Sequence, residues 1–297
     1  MNNKVESAIK KKRNIAALVT CHNRRNLTLA FLKNLSNQKL PVDVSLDIFL
    51  VDDASTDGTS QAVEREFPSV KLFAGDGNLF WGGGMRLAFD RASANSYDFY
   101  LWANDDISLD SSALQTMLEA YDSERASSTK PPIVVGVLRN PVDGSTAYGG
   151  YRSAGGIFPG KFVLLDADTL AQRCDTANGN LVLIPKSAAR EIGNIDPRFA
   201  HRFGDFDYFL RAGKTGYPIL AAAGTVGECQ PNPMPMDVAL DMPRRYEGWK
   251  YYTSLKGLEP TSWLAFSKRH GGLFWVFSFA KPYLKFWLRA ITRAVRE

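Results

Sequence analysis

The segment FLVDDASTDGTSQAVEREF, residues 49–67, passes from a continuous apolar run through two aspartates and a glycine-containing turn into a helical pattern. Asp47–Val51 reads as a buried strand, and Gly58–Phe67 as a helix capped by Ser55 or Thr56. The same alternation extends on both sides. Upstream, Ile15–Val19 reads as a strand and Leu27–Leu35 as a helix. Downstream come a strand at Val70–Phe73, a helix at Met85–Ala94 behind a glycine run, a strand at Phe99–Trp102 and a helix at Ser111–Asp122. Strands alternating with helices predict an α/β fold with a mostly parallel central sheet flanked by helices. Such sheets bind ligands at the C-terminal ends of their strands, which singles out Thr20–Arg24, Asp52–Asp53 and Asn104–Asp106.

The second half is less regular. Ile133–Leu138 and Asn180–Ile184 read as strands, Tyr148–Gly160 as a loop, and Asp205–Gly213 as a short helix. PNPMPMDVALDMP, residues 231–243, reads as a linker. The chain thus divides into a basic stub (1–13), a main domain (14–230), a linker or extension (231–262) and a basic aromatic helical tail (263–297).

A chain of 297 residues, 45% hydrophobic and 12% aromatic, is long enough for one large domain with a sizeable core. The formal charge of +5 is unevenly spread. Seven Lys and Arg face one acid in residues 263–297, and the first thirteen residues are also basic, so the middle is acidic. Basic ends on an acidic body argue against a nucleic-acid binder, which spreads positive charge over a whole face, and point to contact with an anionic surface. Three widely spaced cysteines without a CxxC argue against disulfides and a zinc site, and fit a reducing compartment. The N-terminus lacks an apolar core, so no signal peptide is expected, and no apolar run is long enough to span a membrane.

Three acidic clusters carry the candidate chemistry. In LWANDDI (101–107) an apolar strand ends in Asn104, Asp105 and Asp106. Adjacent carboxylates suit a hard divalent cation, Mg²⁺ or Mn²⁺, that neutralises a diphosphate; a solvated turn is the alternative. In VDDASTDGT, Asp52 reads as turn chemistry, whereas Asp53 is placed to accept a hydrogen bond from a nucleotide base. In GDFDYFLRAGKTGY (204–217), Asp205 starts a helix as a candidate general base or a cap, and Asp207 and Arg211 are four apart and can pair. Together the clusters match what displacement of a sugar from a nucleotide diphosphate requires.

At these residues the chain resembles glycosyltransferase family 2, inverting enzymes of the GT-A, Rossmann-like fold. The resemblance runs from about Ile15 to Gly224, through ALVTCHNRRN, VDDASTDGT, GDGNLFWGGGMRLAFDRA, LWANDD and GDFDYFLRAGKTGY. It implies Asp205 as catalytic base, Asp106 as metal ligand and Asp105 as a metal or ribose contact. It also implies Thr20, Arg24, Asp53, Asn78, Trp81 and Gly83 as nucleotide-sugar contacts, and His201, Asp207 and Asn178 as acceptor or phosphate contacts. Trp81 and Gly82–Gly84 are expected to shape the sugar pocket. Two positions depart from the family pattern: Gly204 stands where the family has an acid, and Glu228 or Cys229 stands where many relatives place a metal-binding histidine. GNLFW, GGMR and WANDD look most like polysaccharide and O-antigen enzymes, including rhamnosyl- and galactofuranosyltransferases. The implied donor is therefore dTDP-rhamnose, or else a UDP-hexose or UDP-galactofuranose, and the implied acceptor a lipid-linked cell-surface glycan.

Lys281, Lys285, Arg289 and Arg293 recur every four residues among aromatics, with Pro282 expected in a first turn. Such a helix suits the membrane interface, here the inner face of the plasma membrane; the alternative is packing on the domain or on a second subunit as a homodimer. Competing classes fare worse. TCHNRRN lacks the GxGxxG of a nicotinamide oxidoreductase, and a nucleotidyltransferase would carry a glycine-rich phosphate loop after the first strand. A non-catalytic nucleotide-sugar-binding module remains, on the strength of Gly204 and Cys229.

Overall fold

A computed structural model describes residues 12–155 and 161–294. In chain order the first elements are β1 (Arg13–Cys21), α1 (Arg25–Ser36), β2 (Val44–Asp52), α2 (Thr59–Glu66), β3 (Lys71–Ala74), α3 (Phe80–Ser93), β4 (Phe99–Ala103), β5 (Ser108–Leu109) and α4 (Ala113–Arg125). Next come β6 (Ile133–Val135), β7 (Leu138–Arg139), β8 (Thr146–Tyr148), β9 (Gly150–Ser153), β10 (Phe162–Leu164), β11 (Gln172–Cys174), β12 (Thr176–Ala177) and β13 (Leu181–Pro185). The chain finishes with α5 (Lys186–Ile192), α6 (Gly204–Lys214), β14 (Ile219–Ala221), β15 (Gly227–Glu228), α7 (Pro235–Leu240), α8 (Arg245–Tyr252), α9 (Pro260–His270) and α10 (Trp275–Ala294).

An eight-stranded sheet of order β11-β14-β6-β13-β4-β1-β2-β3 forms the centre. β1 pairs in parallel with β2 and β4, and β2 with β3, which gives the expected parallel half. β13 inserts antiparallel beside β4 and so brings the residues before it alongside the end of β4. The parallel strands are apolar on both faces because helices cover both. One face packs Ile15, Val19 and Leu101 with Phe31 and Leu35 of α1; the other packs Leu18, Phe49 and Trp102 with Met85 of α3 and Tyr208 of α6.

Several expectations are corrected. Helix α3 starts at Phe80, before the glycines, so Gly82, Gly83 and Gly84 are buried helical residues. A Cβ on Gly84 would lie 2.1 Å from Thr20 Oγ1, and one on Gly82 2.1 Å from the Phe199 carbonyl oxygen. The glycines thus let α3 close on β1 and on the loop before α6, so the close approach is to the chain's own atoms. α2 is entered through Gly58 in the left-handed conformation with no side-chain cap bond at that position, so neither Ser55 nor Thr56 caps it. Ile133–Leu138 is split between two sheets. Part of the expected loop at 148–160 is strand β9, and residues 156–160 lie outside the described residues, as do 1–11 of the basic stub. The expected linker at 231–243 contains α7, whose Pro235 sits at the helix start, where a missing N–H costs nothing. Pro282 lies inside α10 rather than in its first turn. The three cysteines are free and buried, and no described helix is long and apolar enough to cross a membrane.

Candidate active site

The C-terminal ends of β1, β2 and β4 open on one edge of the sheet, where α3, the loop before β13 and the start of α6 meet them. At the end of β2, Asp52 does turn work, accepting from the Ser55 N–H (3.0 Å) and the Ser60 hydroxyl. Asp53 is buried, and its two oxygens accept from the backbone N–H groups of Gly77 (2.8 Å) and Phe80 (3.0 Å). It therefore fixes the turn that carries exposed Asn78 and launches α3. The Asp53 carbonyl lies 2.6 Å from His22 Nδ1, and Asn23 is bonded to Ser55 and Thr56, so the ends of β1 and β2 are tied together.

At the end of β4, Arg24 reaches from the start of α1 to Asp106 Oδ2 (2.8 Å) and Asp105 Oδ1 (3.4 Å). Asp105 is buried and also accepts from Thr28 Oγ1 (2.9 Å). Burial pushes its carboxyl up to about 6, although Arg24 and Thr28 pull the other way. Asp106 Oδ1 is buried with no hydrogen-bond partner. Cys229 lies behind, its thiol on the Asp106 carbonyl (3.8 Å), and burial pushes it up to about 12, so it stays a neutral thiol. Glu228 is paired to Arg139 at 3.0 Å. A cavity of about 230 Å³ runs past Asp105, Asp106, Glu228 and Cys229.

This donor set fits one kind of metal. Among the described residues no three His, Cys, Asp or Glu side chains converge to hold an ion. One partnerless carboxylate oxygen suits Mg²⁺ or Mn²⁺, which take one or two carboxylates and draw their other ligands from phosphate and water. The Cys229 thiol is directed to the carbonyl oxygens of Asp106 and Gln230.

Asn104, the residue before Asp105, is linked to the candidate base through Trp81 and Gly179. Asn104 Oδ1 accepts from Trp81 Nε1 (2.8 Å), and Asn104 N–H donates to the Asn180 carbonyl (2.9 Å). Trp81 lies against Gly179 so closely that a Cβ there would be 2.6 Å from its ring. Gly179 N–H in turn donates to Asp205 Oδ2 (3.0 Å), and Phe206 N–H to Asp205 Oδ1 (2.8 Å). Asp205 lies in the first turn of α6, whose N-cap is Phe203, so Asp205 is not the cap. Burial pushes the Asp205 carboxyl above its ordinary value, against the two backbone N–H groups. A carboxylate raised in this way is better matched to taking up a proton near neutral pH, which is what a general base needs. Two further polar atoms of this region, Asn178 Oδ1 and His201 Nδ1, are buried without partners. Burial pushes His201 down to about 4, with Arg202 and Lys256 adding to it, so the ring is neutral. Native proteins rarely leave such groups unpaired, and three in one region mark a ligand surface.

The structure thus brings together Thr20, Arg24, Trp81, Asp105, Asp106, Asn178 and Asp205 around one edge. Gly83 is buried in α3 and lies 3.1 Å from Leu79 Cβ for an added Cβ, so it packs the helix rather than lining the pocket. Asp207 is corrected outright. It is fully buried, and its oxygens accept from Arg211 Nε (2.9 Å), Arg269 Nη1 (2.6 Å) and His270 Nε2 (2.9 Å). Burial alone would raise its carboxyl, but those three donors hold it below the ordinary range. It binds α6 to α9 and has no face for substrate.

One feature was missed in the sequence. The four non-glycine residues with positive φ among those described are Asn23 (50°), Ala54 (56°), Phe80 (53°) and Phe203 (69°). They stand just after β1, just after β2, at the start of α3 and before α6, so all four rim the same edge. For Ala and Phe this conformation is costly, and it persists where the surroundings over-determine the backbone, as at binding sites. Only the Asn-Arg and Asp-Ala-Ser turns hinted at it.

Comparison with known proteins agrees with this layout. Residues 16–153 match the family model described as Glycosyl transferase family 2. The N-acetylglucosaminyl-diphospho-decaprenol L-rhamnosyltransferase of Mycobacterium tuberculosis is 27% identical over 216 residues, which is 63% of this chain and 66% of that protein. The chain therefore spans just under two thirds of the length of the curated relatives it matches. S. aureus TarS 1–349 superposes over 91% of this chain and 73% of its own with a TM-score of 0.54 at 16% identity. The mannosyltransferase PcManGT from Pyrobaculum calidifontis, in complex with GDP-Man and Mn²⁺, superposes over 96% and 85% with a TM-score of 0.52 at 16% identity. Aspartates at the ends of two parallel strands, a third at the start of α6 and the GT-A architecture of these neighbours thus coincide with a match to the model of glycosyl transferase family 2 over just under half of the chain.

Proposed function

We propose that this protein is an inverting glycosyltransferase that moves a sugar from a nucleotide diphosphate to a hydroxyl of a lipid-linked cell-surface glycan. The observation that carries the reading is the continuous wall from Asp106, with its partnerless oxygen, through Asn104 and Trp81 to Asp205. It sets a diphosphate-binding carboxylate and a general base on one edge, as an in-line displacement requires. Asp205 takes the proton of the acceptor hydroxyl; the oxygen attacks the anomeric carbon opposite the leaving group and inverts it. Arg24, beside Asp105 and Asp106, adds positive charge for the diphosphate. Mg²⁺ or Mn²⁺, bound through Asp106 with Asp105 behind it, would offset charge developing on the leaving group. Asp53 and the turn it holds form the nucleotide end, and His201 and Asn178 offer unpaired atoms to acceptor or phosphate.

The donor we favour is dTDP-rhamnose, supported by the rhamnosyltransferase similarity, and the acceptor's lipid anchor by the diphospho-decaprenol in that relative's name. Such an acceptor places the work at the inner face of the plasma membrane.

Thermal-shift measurements with dTDP-, UDP- and GDP-sugars, each with Mn²⁺, Mg²⁺ or EDTA, test the reading. A single nucleotide should stabilise the protein only with metal, and Asp106→Ala should remove the metal dependence. Ligand at one hundred times Kd is worth about 2.7 kcal/mol, a readily measured shift. Absence of stabilisation by every nucleotide overturns the proposal.

A further inference from the structure

Helix α10 has three different faces. Its inner face, Tyr283, Phe286 and Ala290, packs on α8 and the segment after it: Phe286 stacks on Tyr252 with ring centroids 5.2 Å apart, and the Tyr283 hydroxyl donates to the Leu258 carbonyl at 3.0 Å. The helix is therefore firmly seated, and what it shows to the outside is not the result of poor packing. On the outside, Leu284, Leu288 and Ile291, with Leu273 and Phe277 upstream, are between 53% and 96% exposed. At 3.6 residues per turn Phe277, Leu284, Leu288 and Ile291 fall on one stripe of α10, and Leu273 lies in the short 3-10 turn just before the helix. Lys281 and Lys285, one turn apart and both exposed, run along one edge of that stripe.

We propose that α10 lies in the plane of an anionic lipid membrane, with the Phe277–Ile291 stripe below the headgroups and Lys281 and Lys285 on lipid phosphates. This deepens the glycosyltransferase reading, on which it rests, by giving the enzyme a way to meet a lipid-linked acceptor. A contiguous apolar stripe bordered by cations is the pattern of interfacial helices. No described helix is long and apolar enough to span a bilayer, so an in-plane seat is the mode available to this chain's described residues. Charge favours lipid over a second copy of the chain. Trp275–Ala294 contains basic but no acidic residues, so a second α10 laid on the first sets like charge against like, whereas a phosphate surface attracts it.

The test uses the full chain in flotation with vesicles of phosphatidylcholine alone or mixed with phosphatidylglycerol. Wild-type protein should float with the anionic vesicles and much less with the neutral ones. Leu284→Ser/Leu288→Ser and Lys281→Glu/Lys285→Glu should each lower partition at least about tenfold. These positions are exposed, so the variants stay folded, whereas truncation would strip Arg269 and His270 from Asp207. Transfer to a water-soluble acceptor analogue should be unchanged in both variants. Wild-type protein that stays in solution, or variants that float like it, overturn the membrane seat while leaving soluble transfer intact. A dimer in light scattering that Leu284→Ser/Leu288→Ser splits also overturns it, in favour of a second copy. Loss of transfer to the soluble acceptor in wild type would instead strike the glycosyltransferase reading.

Discussion

Replacing Asp205 by Asn separates the chemical role of this side chain from its structural one. Asp205 accepts one backbone N–H on each oxygen, from Gly179 and Phe206. Asparagine keeps one acceptor and turns an NH₂ group towards the other N–H. Losing that bond costs about 1–3 kcal/mol. Part of the cost is offset, because burial disfavours the carboxylate charge that Asn lacks. The net loss is then about 1–2 kcal/mol, a fall in Tm of a few degrees for a domain of this size. Losing a general base costs about 10²–10⁴ in rate, or roughly 3–5 kcal/mol in the barrier. Catalysis should therefore fall far more than stability. Release of nucleotide diphosphate with a soluble acceptor measures the rate, and calorimetry with donor measures binding, which should persist. The pH profile supplies the sign. A base must be deprotonated, so transfer falls with acidification, and a raised Asp205 puts the midpoint above 3.8; Asp205→Asn should abolish that acid limb. A folded Asp205→Asn protein that retains transfer within about tenfold of wild type refutes the assignment.

Two further substitutions probe how the site is held. Gly82→Ala places a methyl 2.1 Å from the Phe199 carbonyl oxygen, which is backbone and cannot swing away, and should cost about 1–3 kcal/mol in chemical denaturation. Gly213→Ala, on the same criterion in open space within α6, should be neutral or slightly stabilising, and equal effects of the two would contradict the close-approach account. Arg269→Ala removes a charged donor from both Asp207 and Asp196 and should cost about 1.5–3 kcal/mol. Because Asp207 is two residues from Asp205 on α6, this change should also lower kcat while leaving donor KM in place. An unchanged kcat would confine the contact to stability.

How much of this was legible in the sequence depends on the range of the interaction. Alternation of apolar runs and amphipathic helices revealed the parallel half, because each β1–α1 or β2–α2 unit states its own periodicity. The places of Asp106 after a strand and of Asp205 at a helix start were legible, because each ends or begins a local pattern. The glycines of α3 were misread because a glycine run suggests a loop, and only the closeness of Thr20 and Phe199 shows that they are helical and tightly packed. Asp207 was misread for the same reason. Its partner four residues on, Arg211, obeys helix geometry and was foreseen, but Arg269 and His270 lie some sixty residues away and no local pattern announces them. That contact also changes the meaning of the C-terminal region. Read along the chain, residues beyond 231 are a linker and a tail. In the fold, α9 lies between the catalytic domain and α10, with Arg269 and His270 on the helix that bears Asp205, Ser262 on the Arg198 carbonyl (2.9 Å), and Trp263 donating to the Phe279 carbonyl (3.1 Å). A membrane seat at α10 would thus be two packed helices from the base, through α9 to α6. The first helix of that basic, aromatic end, α9, is accordingly packed on α6, the helix that carries Asp205.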